Sequence, residues 1–178
     1  DTGPVFAARE IPVLPSDDAG SLFGRAAAAG SDLLAGCLKK IAAGELVKTP
    51  QSGAASRAPR ITIEDSFLDL SGPAAAAVNL VRGLSCGPHA RFEAAVNGKR
   101  TALQVLKASL PASPSALGKA AAPGTITAIE RGKGFFVKCG DGELFVEEVR
   151  PEGKKPMKAA DFLNGARLKI GDRVEGRG

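Results

Sequence analysis

A length of 178 residues gives room for one ordinary domain, or for one small domain attached to part of another. Three widely spaced cysteines, an odd number with no C-x-x-C pair, argue against a secreted disulfide framework and against a thiolate zinc site, and read as reduced thiols. Lys and Arg exceed Asp and Glu by five, and because residues 1–59 hold six of each sign, the whole excess falls on residues 60–178. A localised basic excess is the electrostatic footprint of a phosphate-binding surface, although a solvated face has the same composition.

The opening "DTGPVFAAREIPVLP" is extended, with β-branched residues and proline stops, and reads as a piece from within a longer chain. The alanine runs further on are short and interrupted, well below the roughly 18 apolar residues that cross a bilayer, so no membrane association is expected. In "SDDAGSLFGRAAAAGSDLLAGCLKKIAAGELV", Ser16, Asp17 and Asp18 are candidate helix caps, and Leu34, Leu38, Ile41 and Ala42 keep helical spacing. Gly30 with Ser31 is expected to divide this stretch into two helices.

"KTPQSGAASRAPR" is poor in large apolar residues and reads as a connection. The expected organisation is therefore residues 1–48, a linker at 49–59, and a second domain at 60–178. "AAAAVNLVRGL" predicts a helix, and from Ala90 the apolar period changes from helical to two. Phe92, Ala94 and Val96 alternate before Asn97-Gly98, and Leu103 and Val105 alternate after it, which is a hairpin with a tight turn. "GTITAIE", "FFVKC" and "ELFVEEV" follow, separated by "RGKG" and "GDG". Five short strands on tight glycine turns predict a small closed or nearly closed barrel. The tail "AADFLNG" predicts a helix that buries Phe162 and Leu163, with Gly165 as its left-handed cap and Lys158 as a weak start.

The chain has one histidine, no Tyr and no Trp, and no G-x-S-x-G, H-E-x-x-H or G-x-x-x-x-G-K-[ST] pattern, so it holds no self-sufficient catalytic set. His89 follows "CGP" at the entrance to the hairpin and reads as a turn histidine, with a thiol-imidazole role as the alternative. Of Phe135 and Phe136, one must face the interior; the outward ring either stacks on a base or packs under a loop. The candidate phosphate contacts are Lys99 and Arg100 after the hairpin turn, Arg131 and Lys133 in the next turn, Lys154, Lys155 and Lys158 in the tail, and Arg60 after the linker. Cations on loop tips can follow a phosphate backbone without specifying sequence, and the same residues also read as an ordinary solvated face.

Taken in order, these segments resemble the C-terminal portion of the methionyl-tRNA formyltransferase family. "DTGP" resembles the aspartate-bearing strand end of the formyltransferase domain, "PQ" with "APRITIED" its exit linker, and "NLVRGL" and "NGKR" the start of the C-terminal domain. "GTI", "DG" and above all "PEGKKPMKAADFLNG" complete the match. The resemblance implies an α+β chain in which an oligonucleotide-binding-type barrel with flanking helices, residues 60–178, follows the last strand and helices of a Rossmann-like formyltransferase domain, residues 1–48. It implies transfer of a formyl group from 10-formyltetrahydrofolate to the amino group of methionyl initiator tRNA, in a monomer without metal. The setting it implies is the bacterial cytoplasm, or alternatively a mitochondrial or plastid matrix.

By the same resemblance Asp1 matches the catalytic aspartate, while its asparagine and histidine partners belong upstream, so the chain alone is expected to be inactive. Arg57 stands where a tyrosine commonly precedes "AP", and "SCGPHA" replaces a proline- and tryptophan-rich turn. A sugar-nucleotide formyltransferase and a non-catalytic RNA-binding barrel are the competing readings; the "GKKPMKAADFLNG" block and the basic excess favour the tRNA enzyme.

Overall fold

The computed structural model describes residues 3–45 and 47–176. The chain forms two compact units, residues 1–60 and 61–178.

In the first unit, Val5 and Thr49 exchange backbone hydrogen bonds of 2.8 and 2.9 Å, and one long helix, α1 (Ala19–Ala42), lies between them in sequence. Asp18 caps α1: its carboxylate accepts from the Ser21 amide at 2.8 Å, and the Ser21 hydroxyl accepts from the Asp18 amide at 3.1 Å. The reciprocal pair satisfies two of the donors that a helix start leaves open. Asp17 is buried beneath it and holds the entering chain by accepting from the Leu14 amide, the Ser21 hydroxyl and Arg25. α1 continues through Gly30 and Ser31, contrary to the two helices predicted. A glycine inside a helix costs only about 1 kcal/mol relative to alanine, and the preceding run Ala26–Ala29 is made of the strongest helix former. No residue of α1 is buried, and Phe23, Leu34, Leu38 and Ile41 are each more than half exposed.

The second unit is a curled antiparallel sheet with two helices. Its strands are β1 (Arg91–Val96), β2 (Lys99–Ser109), β3 (Ile126–Glu130), β4 (Gly134–Lys138), β5 (Glu143–Pro151), β6 (Met157–Lys158) and β7 (Val174–Glu175). The order across the sheet is β3-β4-β5-β2-β1-β7, with β6 alongside β5. A bridge between Thr125 and Arg173, with hydrogen bonds from Ile126 to Asp172 and from Val174 to Gly124, draws the two ends of this order together. The first five strands are those that the alternation predicts. Asn97 and Gly98 form the hairpin turn with φ of 50° and 78°, the left-handed conformation that a two-residue turn requires.

Alternation fills the interior with Phe92, Leu103, Val105, Ile126, Phe135, Val137, Leu144, Val146 and Val149, all essentially inaccessible. Phe92 and Phe135 meet edge to face, centroids 6.5 Å apart. The helix α2 (Ala74–Gly83) buries Ala74, Ala77, Val78 and Val81. Its N-cap is Pro73, which has no side-chain donor or acceptor, and the missing cap comes from the β4–β5 turn, where Asp141 accepts from the Ala74 amide at 2.8 Å. That turn approaches so closely that a Cβ on Gly140 would lie 2.1 Å from the Ser71 carbonyl oxygen.

The helix α3 (Ala159–Ala166) buries Phe162 and Leu163 as expected, but its left-handed cap is Arg167, with φ of 56°, rather than Gly165. Burial of Ala166 against the core carries the helix past the glycine. Removing either large side chain leaves a cavity. Leu163→Ala is expected to lower unfolding free energy by about 2–5 kcal/mol in urea denaturation, with Phe162→Ala at least as damaging.

The loop between β2 and β3 is fastened by one carboxylate. Glu143, only 4% exposed, accepts from the Ser115 amide and hydroxyl at 2.6 Å each and from the Thr127 hydroxyl. Burial pushes its carboxyl up, but the bonds from Ser115 and Thr127 outweigh that and hold it below the ordinary glutamate value. Because the folded state binds the proton less tightly, this contribution is present above the unfolded pKa and lost as pH falls through the lowered folded value. Glu143→Gln should therefore cost about 1–3 kcal/mol at neutral pH and should flatten the acid limb of the stability profile followed by circular dichroism.

Candidate nucleic-acid interface

The outward positions of the same strands carry the polar and charged side chains, and the basic residues singled out from the sequence fall into separate groups. Lys99 and Arg100 sit at the start of β2 beside the hairpin turn, both exposed. Arg100 donates to Glu93 on β1 and to Glu175 on β7, and the bond that Glu93 accepts leads the effects that raise its pKa. Its charge is thus answered inside the unit by two carboxylates, one of them 75 residues away. Lys99 makes no ion pair among the described residues.

Lys133 and Lys158 meet at a groove of about 440 Å³, which Lys107, Phe145, Glu147, Glu148 and Met157 also line. Register explains the meeting. Glu148 on β5 stands opposite Lys107 on β2 and opposite Lys158 on β6. Lys107 pairs with Glu147 at 2.9 Å, an interaction that raises its pKa, and Lys133 pairs with Glu130 at 3.0 Å. The groove is consequently a mixed-charge surface. Phe136, the outward ring of its pair, packs on Phe145 of the neighbouring strand with centroids 4.8 Å apart. Its contact is thus with a cross-strand ring, and the ring remains half-buried. Arg131 is exposed in the adjoining turn.

Lys154 and Lys155 follow β5 in an exposed turn. Lys154 borders a second hollow, of about 430 Å³, with Arg91, Gln104, Arg150 and Glu152. Arg91, Gln104 and Arg150 are direct neighbours across β1, β2 and β5, so they form one row on the outer face. Arg150 donates through Nε to Gln104 Oε1 at 2.6 Å, and Arg91 donates through Nη2 to the Pro88 carbonyl at 2.9 Å. Neither arginine is among the residues picked from the sequence. Each is an outward position of a predicted strand, but the pairing of β2 with β5 spans 46 residues and two bulges and leaves no local signal.

His89 precedes this row with φ of 60°. Burial pushes its pKa below the ordinary histidine value, and Arg150 and Arg91 push it further, so the imidazole is neutral at pH 7. Its Nδ1 is buried without a hydrogen-bond partner. Cys139 is buried, and desolvation raises its thiol to about 11, which makes it unreactive. Among the described residues no group of three or more His, Cys, Asp or Glu is placed to hold a metal ion, and no helix is long and apolar enough to cross a membrane. Arg60 is exposed at the end of the first unit. Asp1 lies outside the described residues.

Residues 60–167 match the family described as formyl transferase, C-terminal domain. Curated methionyl-tRNA formyltransferases are similar along almost the whole chain. That of Elusimicrobium minutum is 39% identical over 98% of this chain and 58% of its own length. That of Dictyoglomus thermophilum is 39% identical over 98% and 54% respectively. The chain thus spans about half the length of the curated relatives it matches. Among solved structures, a variant of HypX from Aquifex aeolicus superposes with a TM-score of 0.67 over 92% of this chain and 28% of its own, at 18% identity, which is a likeness of fold. On the family match and the extent of the similarity, the chain belongs to the formyl transferases and carries their C-terminal domain.

Proposed function

We propose that this chain is the C-terminal portion of a methionyl-tRNA formyltransferase, and that its barrel holds the initiator tRNA while the formyl group is transferred. The observation that carries this reading is the similarity, over 98% of the chain, to proteins named for that activity. The cations outside the barrel support the tRNA part. Lys99, Lys154, Lys155 and Lys158 make no ion pair among the described residues, whereas Arg100, Lys107 and Lys133 do. The first four are therefore the better candidates for phosphate, since their charge is not already matched.

In the proposed reaction the methionine amine attacks the formyl carbon of 10-formyltetrahydrofolate, donors stabilise the tetrahedral oxyanion, and its collapse breaks the bond from the formyl carbon to N10, while an imidazole and a carboxylate carry the proton lost by the amine to the departing tetrahydrofolate nitrogen. By family resemblance Asp1 is that carboxylate, and the folate donor, the asparagine and the histidine belong to a part of the protein beyond these 178 residues. The exposed apolar face of α1, with Phe23, Leu34, Leu38 and Ile41, supports that assignment, because a helix of a larger domain keeps such a face for packing.

Two outcomes are expected. The purified chain should transfer no formyl group to methionyl-tRNA, and joining it to the N-terminal half of a relative should restore turnover in a radiolabelled formyl assay. Robust turnover by the chain alone would overturn the division of labour. Lys154→Ala with Lys155→Ala should weaken binding of initiator and elongator tRNA alike in filter-binding titrations, and should reduce the salt slope by about one unit per lost contact. The melting temperature should stay nearly unchanged, since both lysines are exposed. Unaltered affinity at low and high salt would leave these lysines as an ordinary solvated surface.

A further inference from the structure

We propose that the hollow bounded by Arg91, Gln104, Arg150 and Lys154 is a phosphate-binding site built by strand register, with Arg91 and Arg150 as its principal ligands. The source we assign is a backbone phosphodiester of the bound RNA, which rests on the tRNA reading above.

The row places two guanidinium groups on either side of one neutral amide. Like charges so placed repel unless an anion is shared between them. Intramolecular acceptors answer only a fraction of their donors. Arginine has five N–H groups in a fixed fork; Arg150 gives one to Gln104, and Arg91 gives one to Pro88. The Arg91 Nε is buried with no partner, and leaving such a charged donor unsatisfied is costly. Glu152 lines the same hollow and is its carboxylate, yet it makes no ion pair with Arg91, Arg150 or Lys154 among the described residues. Lys154 adds a third cation at the rim.

The volume, about 430 Å³, admits a phosphate group with part of its neighbouring sugars. Paired guanidinium forks match the oxygens of a phosphodiester bidentately, which a lone surface lysine cannot do. Two further hollows on this unit lack this arrangement. One holds Glu147 and Glu148 against its lysines, and the other, beside Leu110 and Pro111, holds Asp141 and Glu143.

His89 provides a reporter. It is the chain's one histidine, its Nδ1 has no partner, and it lies within electrostatic reach of both arginines. An anion held between Arg91 and Arg150 offsets the charges that disfavour the imidazolium, so binding should move the His89 ring resonances. Inorganic phosphate and a twelve-residue single-stranded RNA would each be titrated into the full chain while these resonances are followed.

Both probes are expected to shift His89 in the wild type, and neither in the Arg91→Gln, Arg150→Gln double variant. That variant should also bind the RNA about tenfold or more weakly, with a salt slope lower by about 1.4 for two single-strand phosphate contacts. Lys119→Gln, a single-charge control on the β2–β3 loop, should change affinity less than about twofold. If the double variant fails to fold, Arg150→Lys alone suffices: it keeps the charge but loses the fork, and should lower RNA affinity while leaving the salt slope nearly intact. A shift with phosphate but not with RNA upholds the site and overturns its assignment to a tRNA backbone. No shift of His89 with either probe, or wild-type binding by the folded variants, overturns the site itself.

Discussion

The constraint on which the second unit depends is the register of β2 between β1 and β5. β2 is the longest strand, and its alternation sends Leu103 and Val105 inward opposite Phe92 and Val149 while Gln104 must point outward. A slip of one residue would expose that core and bury Gln104 without partners, so the apolar interior fixes the pairing. The outer row of Arg91, Gln104 and Arg150 is a consequence of the same choice. The hydrophobic effect thereby positions two arginines that share no carboxylate, and the outer row inherits its geometry from the core.

Around this register the fold is tied at points where backbone polar groups lack strand partners. Asp141 caps α2 from the β4–β5 turn, Glu143 fastens the β2–β3 loop, and Thr125 with Arg173 brings the ends of the sheet together. Each tie uses a residue near a glycine turn or a strand end, where side chains can reach neighbouring backbone without disturbing the alternation.

How much of this was legible in the sequence follows from range. Five strands, the Asn97-Gly98 hairpin and the buried face of α3 rest on period and turn chemistry within a dozen residues, and they stand where the sequence places them. β6 and β7 are two residues each, too short to carry a period. Gly30 and Gly165 mislead for opposite reasons, the first because an alanine-rich helix absorbs a glycine, the second because core contacts of Ala166 move the cap to Arg167. Among the basic residues, composition points correctly to charge but not to its neutralisation. Arg100 acquires Glu175 through the β1–β7 pairing, and Arg150 acquires its row through pairing across the bulged β2.

The proposed tRNA role rests on the family relationship and on the cations that lack an internal carboxylate, which are the ones free to meet phosphate. A surface of that kind, on the proposed reading, would hold RNA by its backbone and leave recognition of the initiator to other contacts. The most direct measurement is an amide-exchange and side-chain footprint of the full chain with and without methionyl initiator tRNA. The account predicts protection concentrated on the outer row of β1, β2 and β5 and on the turn at residues 152–155, reaching Lys99 and Lys158, with Lys107, Lys133 and Glu147 of the mixed-charge groove little changed. Protection centred on that mixed-charge groove, or no protection anywhere on the barrel at tRNA concentrations that support binding, would contradict it.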